Sequence, residues 1–354
     1  MTRTPQSFTF EVHPAWTAAS FARLRMKKKQ VITSIIVIAI LATLVYLQVR
    51  AWRHFDWATF WIYTKSVNFL VVLAAIAVVY FIYVLRATRW RVFLRSRQTV
   101  RAIDLVPSQF IGFTGLALLG RPGEFIRPYL VARKVNLSFA SQVVVWTAER
   151  ICDMLSVGII LAVTLLIRPD FRHFFVLPHI RTKAVLALIA FVILIVGVLA
   201  LSSGLRNRLR KLSVDLSRSV AHDLISFVEI AATSLAIWLL IAASYWITLH
   251  AYPDLRALIH ITDVPLIMGA STLGSMIQLP GVGGGSQLAV IGILSSPIFG
   301  LQHELAVSAG IMLWIVTFVS VTPMGLFLAH REKLSLTRLS SESRQQEEAA
   351  EAAG

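Results

Sequence analysis

Five stretches of this chain, Val31–Val49, Val67–Leu85, Ala184–Ser203, Ile230–Leu249 and Leu305–Ala329, contain no charged residue. Each is about long enough, as a helix, to cross ~30 Å of hydrocarbon. Core helices of soluble domains seldom reach that length without a polar face. Composition points the same way. The chain is 56% hydrophobic and 15% charged, where a soluble domain carries about a quarter of its residues as Asp, Glu, Lys and Arg. The implied class is an all-α polytopic membrane protein.

The net charge of +16 does not point to nucleic acid, because the basic residues cluster between apolar blocks and no recognition motif accompanies them. Arg23, Arg25, Lys27, Lys28 and Lys29 precede the first block, and six arginines from Arg86 to Arg101 follow the second. Loops held on the cytoplasmic side by the positive-inside rule have this character, and the same charge suits anionic lipid headgroups. The single cysteine, Cys152, lies in an apolar run, which excludes an intrachain disulfide and reads as a buried thiol. The block Val31–Val49 lacks a following cleavage site and reads as an uncleaved first span.

Two further apolar regions are interrupted. Leu105–Asn136 holds Pro107, Gly112, Gly115, Gly120, Pro122, Gly123 and Pro128, and Thr262–Gly300 is richer still in glycine and proline. Each reads as two short helices joined by a break. Irregular backbone at membrane depth is tolerated only where protein or water satisfies it, so both are expected to be re-entrant hairpins. With Phe139–Ile167 as a further span, about six full transmembrane helices and two broken hairpins result. Both termini then fall in the cytoplasm, and cytoplasmic segments hold most of the 34 Lys and Arg.

This threading divides the chain into a basic cytoplasmic segment (1–30), a transmembrane domain (31–330) and a disordered, solvated cytoplasmic tail (331–354). Within the domain, 31–167 and 184–329 repeat one order of elements with opposite orientation, two spans, a hairpin and a third span. Inverted repeats with discontinuous helices are a common construction of transporters. The repeat rests on order and orientation, without residue-level identity between the halves.

Three places can carry chemistry. Glu149, Arg150 and Asp153 lie inside the apolar run Phe139–Ile167, with the two carboxylates on one helix face. A charge at the centre of a membrane helix costs roughly 2.5–3.5 kcal/mol, so these need partners or water. Either they form a site for an anionic headgroup, or they are an ion-pair network that pins helices together. Gly120 to Pro128 is the second place. Gly123 permits a tight turn, a half-helix starting there would aim free N–H groups into a cavity, and Arg121 and Arg127 offer forks suited to phosphate beside Glu124. The same run also reads as an ordinary basic cytoplasmic loop. Third, Gln278 to Gln287 includes Gly281, Gly283, Gly284 and Gly285, which can form a backbone nest, a hinge or a plain turn. Trp52, Trp57, Trp61 and Trp90 read as interface anchors at span ends. The scattered His250, His260 and His303 lack ligand spacing, so no metal or cofactor is expected.

Taken together, the run Gly115–Arg127, Glu149-Arg150, Asp153 and the late Pro-Gly-rich loop resemble the transmembrane region of lysylphosphatidylglycerol synthases, which also occurs as stand-alone flippase-like proteins. The resemblance implies a bacterial inner-membrane domain that moves a phospholipid or lipid-linked headgroup between leaflets. It also implies that Arg121, Glu124, Arg127, Glu149, Arg150 and Asp153 line the cavity. Two departures matter. No soluble aminoacyl-transferase domain follows Ala329, so the chain is not expected to be an enzyme by itself, and a separate enzyme partner fits. Gln287 stands near the place where the family's late loop usually leads into a glutamate. If that carboxylate couples movement to protons, this chain is uncoupled or takes a different substrate. Besides translocation, a non-transporting partner subunit of an envelope or glycolipid pathway and a lipid-modifying transferase are both compatible with the sequence. Oligomeric state is not legible.

Overall fold

Helix signals place the long elements. Asn68 caps a 26-residue helix by accepting from the backbone N–H groups of Leu70 and Val71, and Ser138 caps a 29-residue helix through Ser141. In a membrane such helices satisfy their own backbone groups internally. The structure is a computed structural model that describes residues 55–95, 97–168, 224–276, 278–279, 283–335 and 339–345. The expected spans 31–49 and 184–203, and the segment 1–30, lie outside the described residues. All elements below belong to one unit, Trp57–Gly354.

The order is α1 (Trp57–Lys65), α2 (Phe69–Leu94), α3 (Ala102–Leu119), a 3-10 turn (Arg121–Phe125), α4 (Ile126–Lys134), α5 (Phe139–Ile167), α6 (Leu224–His250) and α7 (Val264–Gly274). A two-residue antiparallel ladder follows, with β1 (Gln278–Leu279) paired to β2 (Gly283–Gly284). The chain ends in α8 (Gly285–Leu294), α9 (His303–Trp314), a π-helical turn (Ile315–Val319) and α10 (Val321–Arg331). Among the described residues, five helices can cross a membrane by length and composition: α2, α3, α5, α6 and the continuous run His303–Arg331. The all-α polytopic class is therefore observed.

Three lengths differ from expectation, the simplest being α6, which starts at Leu224 rather than Ile230. The first limb of the first hairpin, α3, has 18 residues and is not short; Pro107 is accommodated inside it. The second span continues to Leu94, beyond Leu85, because Ala87, Trp90 and Leu94 extend its apolar face into the packing around Leu105, Val131 and Val135. Arg86 and Arg89 are consequently not loop residues but lie inside the helix.

The hairpins open toward opposite ends of the bundle. Leu94, Leu105, Val131, Val135 and Val145 form one cluster, so the first hairpin begins and ends beside the C-terminus of α2 and the start of α5. Leu249, Val264, Leu294, Leu301 and Leu305 form another, so the second begins and ends beside the C-terminus of α6 and the start of α9. Ion pairs mark both ends. Arg95–Glu229 at 2.7 Å and Lys134–Glu332 at 3.9 Å lie at the first end. At the other, Arg168 meets Asp263 at 2.6 Å, which neutralises a basic residue on the expected outer side.

The expected disordered tail is corrected in part. Residues 339–345 are helical, and Leu339 is buried against Ile111, Ile126, Leu130 and Ala329. The Tyr129 hydroxyl also donates to Glu342 at 2.8 Å. An apolar side chain with a groove to fill is enough to order this turn.

Each hairpin closes through a glycine at a close approach. A methyl group at Gly123 would run into the Gly115 carbonyl, and one at Gly274 into the Gly285 carbonyl. By contrast, nothing lies within 4 Å of the Cβ position at Gly158 in α5. Gly123→Ala and Gly274→Ala should each lose about 1–3 kcal/mol of stability through overpacking. Gly158→Ala should gain up to about 1 kcal/mol through helix propensity. Thermal unfolding of the three variants in one detergent would check the ranking.

Candidate functional site: a buried arginine–carboxylate cluster

Glu149, eleven residues into the 29-residue helix α5, is 1% exposed, and four other helices aim guanidiniums or partners at its surroundings. From α2, Arg89 donates to Glu149 Oε1 at 2.5 Å, to Asp153 Oδ1 at 2.7 Å and to Ser234 Oγ of α6 at 2.9 Å. From α4, Arg127 reaches Glu149 Oε1 at 3.0 Å and Oε2 at 2.6 Å, and donates to Gln109 of α3 at 3.1 Å. Arg86, one turn before Arg89, touches Glu149 Oε1 at 3.5 Å. Arg150 lies 3.6 Å from the same oxygen and 3.2 Å from Asp153 Oδ2.

Aromatic rings complete the enclosure. The Arg127 guanidinium lies 4.6 Å from the Trp90 ring centroid and 5.1 Å from that of Phe113; Arg86 is 4.8 Å from Phe113. Cation–π contacts of this kind strengthen when water is excluded. Trp90 is itself buried and donates to Gln142 at 3.0 Å, which corrects its reading as an interface anchor. Trp57 and Trp61 remain exposed, and Trp52 lies outside the described residues. Gly112 lets α3 come up against the Arg127 backbone, since a Cβ there would overlap Arg127 Cβ. The glycine thereby sets where that guanidinium sits.

Among the described residues, four guanidiniums thus surround two carboxylates, leaving two formal positive charges in excess. Burying charge is tolerated when it is paired, and an uncompensated charge in low dielectric is costly. Chemically the cluster can hold an added anion, and it contains no nucleophile–base pair. Among the described residues no three His, Cys, Asp or Glu side chains group as a metal site requires.

Of the residues singled out from sequence, the structure brings Arg127, Glu149, Arg150 and Asp153 together. Gly123 sits on the 3-10 turn, packed on α3. Glu124 is half-buried on that turn, and the Arg121 side chain falls outside what is described. Gly283 and Gly284 form β2, Gly284 has φ 122, and its N–H donates to the Gln287 side-chain oxygen at the start of α8. Sequence reasoning missed Arg86, Arg89, Gln109 and Ser234. The available signal was the three-residue spacing of Arg86 and Arg89, with Ala87, Trp90 and Leu94 repeating on a helical face.

The excess of positive charge gives a sign test. Glu149→Gln should cost about 3–5 kcal/mol, the usual penalty for stranding buried partners, whereas Arg150→Gln, which lowers the excess, should leave stability unchanged or raised. Unfolding midpoints of the purified variants would check this.

No curated protein and no solved structure gives a significant match to the chain. The family model described as lysylphosphatidylglycerol synthase TM region matches residues 31–325, nearly all of the described helices included. The chain is therefore an integral membrane protein related to lipid handling, and it belongs to the lysylphosphatidylglycerol synthase TM region family.

Proposed function

We propose that this chain binds a lipid with an anionic headgroup at the buried cluster and moves it between leaflets, without itself being an enzyme. The observation that carries this reading is the excess of two guanidinium charges over carboxylates inside an apolar helix bundle. An anion that supplies the missing charge is favoured there far more than in water.

Arg150 is the point of capture, because its side chain is 37% exposed while Arg89 and Arg127 are enclosed. Arg89, Arg127 and Glu149 hold the frame on which Arg150 and Asp153 act. The two hairpins, opening toward opposite ends, provide the two gates that alternating access needs. The end bearing Arg95, Arg97, Arg101, Arg133, Lys134 and Arg331 faces the cytoplasm of a bacterial inner membrane by the positive-inside rule. A separate enzyme would make or consume the lipid.

The test is leaflet-resolved movement of labelled anionic phospholipids in liposomes holding the purified protein. Wild type should move lipid, and Arg150→Ala should lose tenfold or more, on the order of one charge-assisted hydrogen bond, with its unfolding midpoint kept. Full activity in Arg150→Ala would remove the assigned role. Absence of movement for every lipid would favour a non-transporting partner subunit.

A further inference from the structure

Arg86 and Arg150 are the two guanidiniums that the carboxylates leave short of partners. Arg86 is 8% exposed, yet among the described residues its side chain makes one hydrogen bond, a 3.5 Å contact to Glu149 Oε1, beside the Phe113 ring. A guanidinium carries five donors. Arg150 has a buried Nε–H without a hydrogen bond, and Asp153 Oδ2 beside it accepts none. The short contacts to Glu149 and Asp153 belong to Arg89 and Arg127. Both under-used guanidiniums lie within 3.6 Å of the same Glu149 oxygen, close enough for one phosphate to bridge them.

Building on the reading that this cluster captures a headgroup, we infer that Arg86 and Arg150 select a phosphomonoester dianion, such as the terminal phosphate of phosphatidate, over phosphodiester, zwitterionic or aminoacylated headgroups. A dianion neutralises the excess of two charges, whereas a diester leaves one positive charge enclosed and a cationic headgroup adds to it. Three terminal oxygens also offer acceptors to two forks at once, where a diester has two non-bridging oxygens.

The pH dependence has a definite sign. The second proton of a phosphomonoester leaves near pH 6, so affinity rises as pH increases through that range and levels off above it. Among the described residues, the charged and titratable groups around Arg86 and Arg150 are Tyr83 and Arg89 on α2, Arg127 on α4, and Glu149 and Asp153 on α5. Gln109 and Phe113 of α3 and Ser234 of α6 are neutral. Protonating Glu149 or Asp153 would strengthen anion binding toward acid, the opposite direction. A phosphodiester lipid, which does not titrate here, isolates that contribution.

The experiment is binding to the purified full chain of short-chain phosphatidate, short-chain phosphatidylglycerol and soluble glycerol 3-phosphate at pH 5 and pH 7.5. Phosphatidate should bind at least about tenfold tighter than phosphatidylglycerol at pH 7.5, and that ratio should collapse toward unity at pH 5. Arg86→Gln and Arg150→Gln should each reduce the ratio, with Arg150→Lys restoring part of it. Equal affinities and a flat ratio overturn the monoester assignment and leave the lipid reading standing. Glycerol 3-phosphate binding as tightly as phosphatidate supports the monoester assignment and overturns the lipid reading. No arginine-dependent binding of any of the three overturns both.

Discussion

The Glu149 carboxylate is where the bundle is tied. It is held by guanidiniums from α2 and α4 at 2.5 and 2.6 Å and approached by two more. In an apolar medium, association between helices lacks the hydrophobic drive it has in water, so packing and polar contacts carry it. Glu149 and Asp153 join α2, α4 and α5 through charge, and Ser234 and Gln109 bring in α6 and α3 by hydrogen bonds. Removing the carboxylate would strand Arg86 and Arg127 and leave Arg89 and Arg150 with Asp153 alone. That makes Glu149 a structural necessity before it can be anything else, and it separates two groups of arginine. Arg89 and Arg127 are spent on the frame, while Arg86 and Arg150 keep donors in reserve.

Placing Arg127 depends on the first hairpin, and the hairpin depends on glycine. Gly112 admits the Arg127 backbone against α3, and Gly123 admits the turn against Gly115. The buried Leu339 closes the same hairpin from outside. The second hairpin follows the same logic at the opposite end, with Gly274 against Gly285 and a short ladder across the turn. Its Arg168–Asp263 pair fixes the end of α5 to the start of α7. Gly123, which sequence reading takes for a tight turn, is thus accounted for by close backbone contact.

Much of this was legible from charge-free blocks and from helix-breaking residues. Phe139–Ile167 has the bounds its apolar run implies, and the Thr262–Gly300 region forms two short helices as expected. Glu149, Arg150 and Asp153 stand out because charge inside such a run is expensive. Arg86 and Arg89 were hidden by their neighbours. A run of arginines after an apolar block looks like a positive-inside loop, and only the tertiary contact with α5 distinguishes buried arginines from Arg95 or Arg97. The burial of Trp90 was masked in the same way. The length of α3 was obscured by Pro107, which a helix can absorb when the surrounding packing holds it. The order around Leu339 depends on a groove built from α3, α4 and α10, which no local pattern reports.

The claim that most needs a direct measurement is that the excess charge of this enclosure receives a lipid phosphate. Photocrosslinking with a phosphatidate analogue carrying its reactive group beside the phosphate, followed by peptide mapping, addresses that without requiring transport. Adducts should concentrate on α2 and α5 around Arg86 and Arg150 and fall away in the Arg86→Gln, Arg150→Gln double variant. Adducts spread over the lipid-facing surface, unchanged in that variant, would contradict the account and leave the cluster as a structural clamp alone.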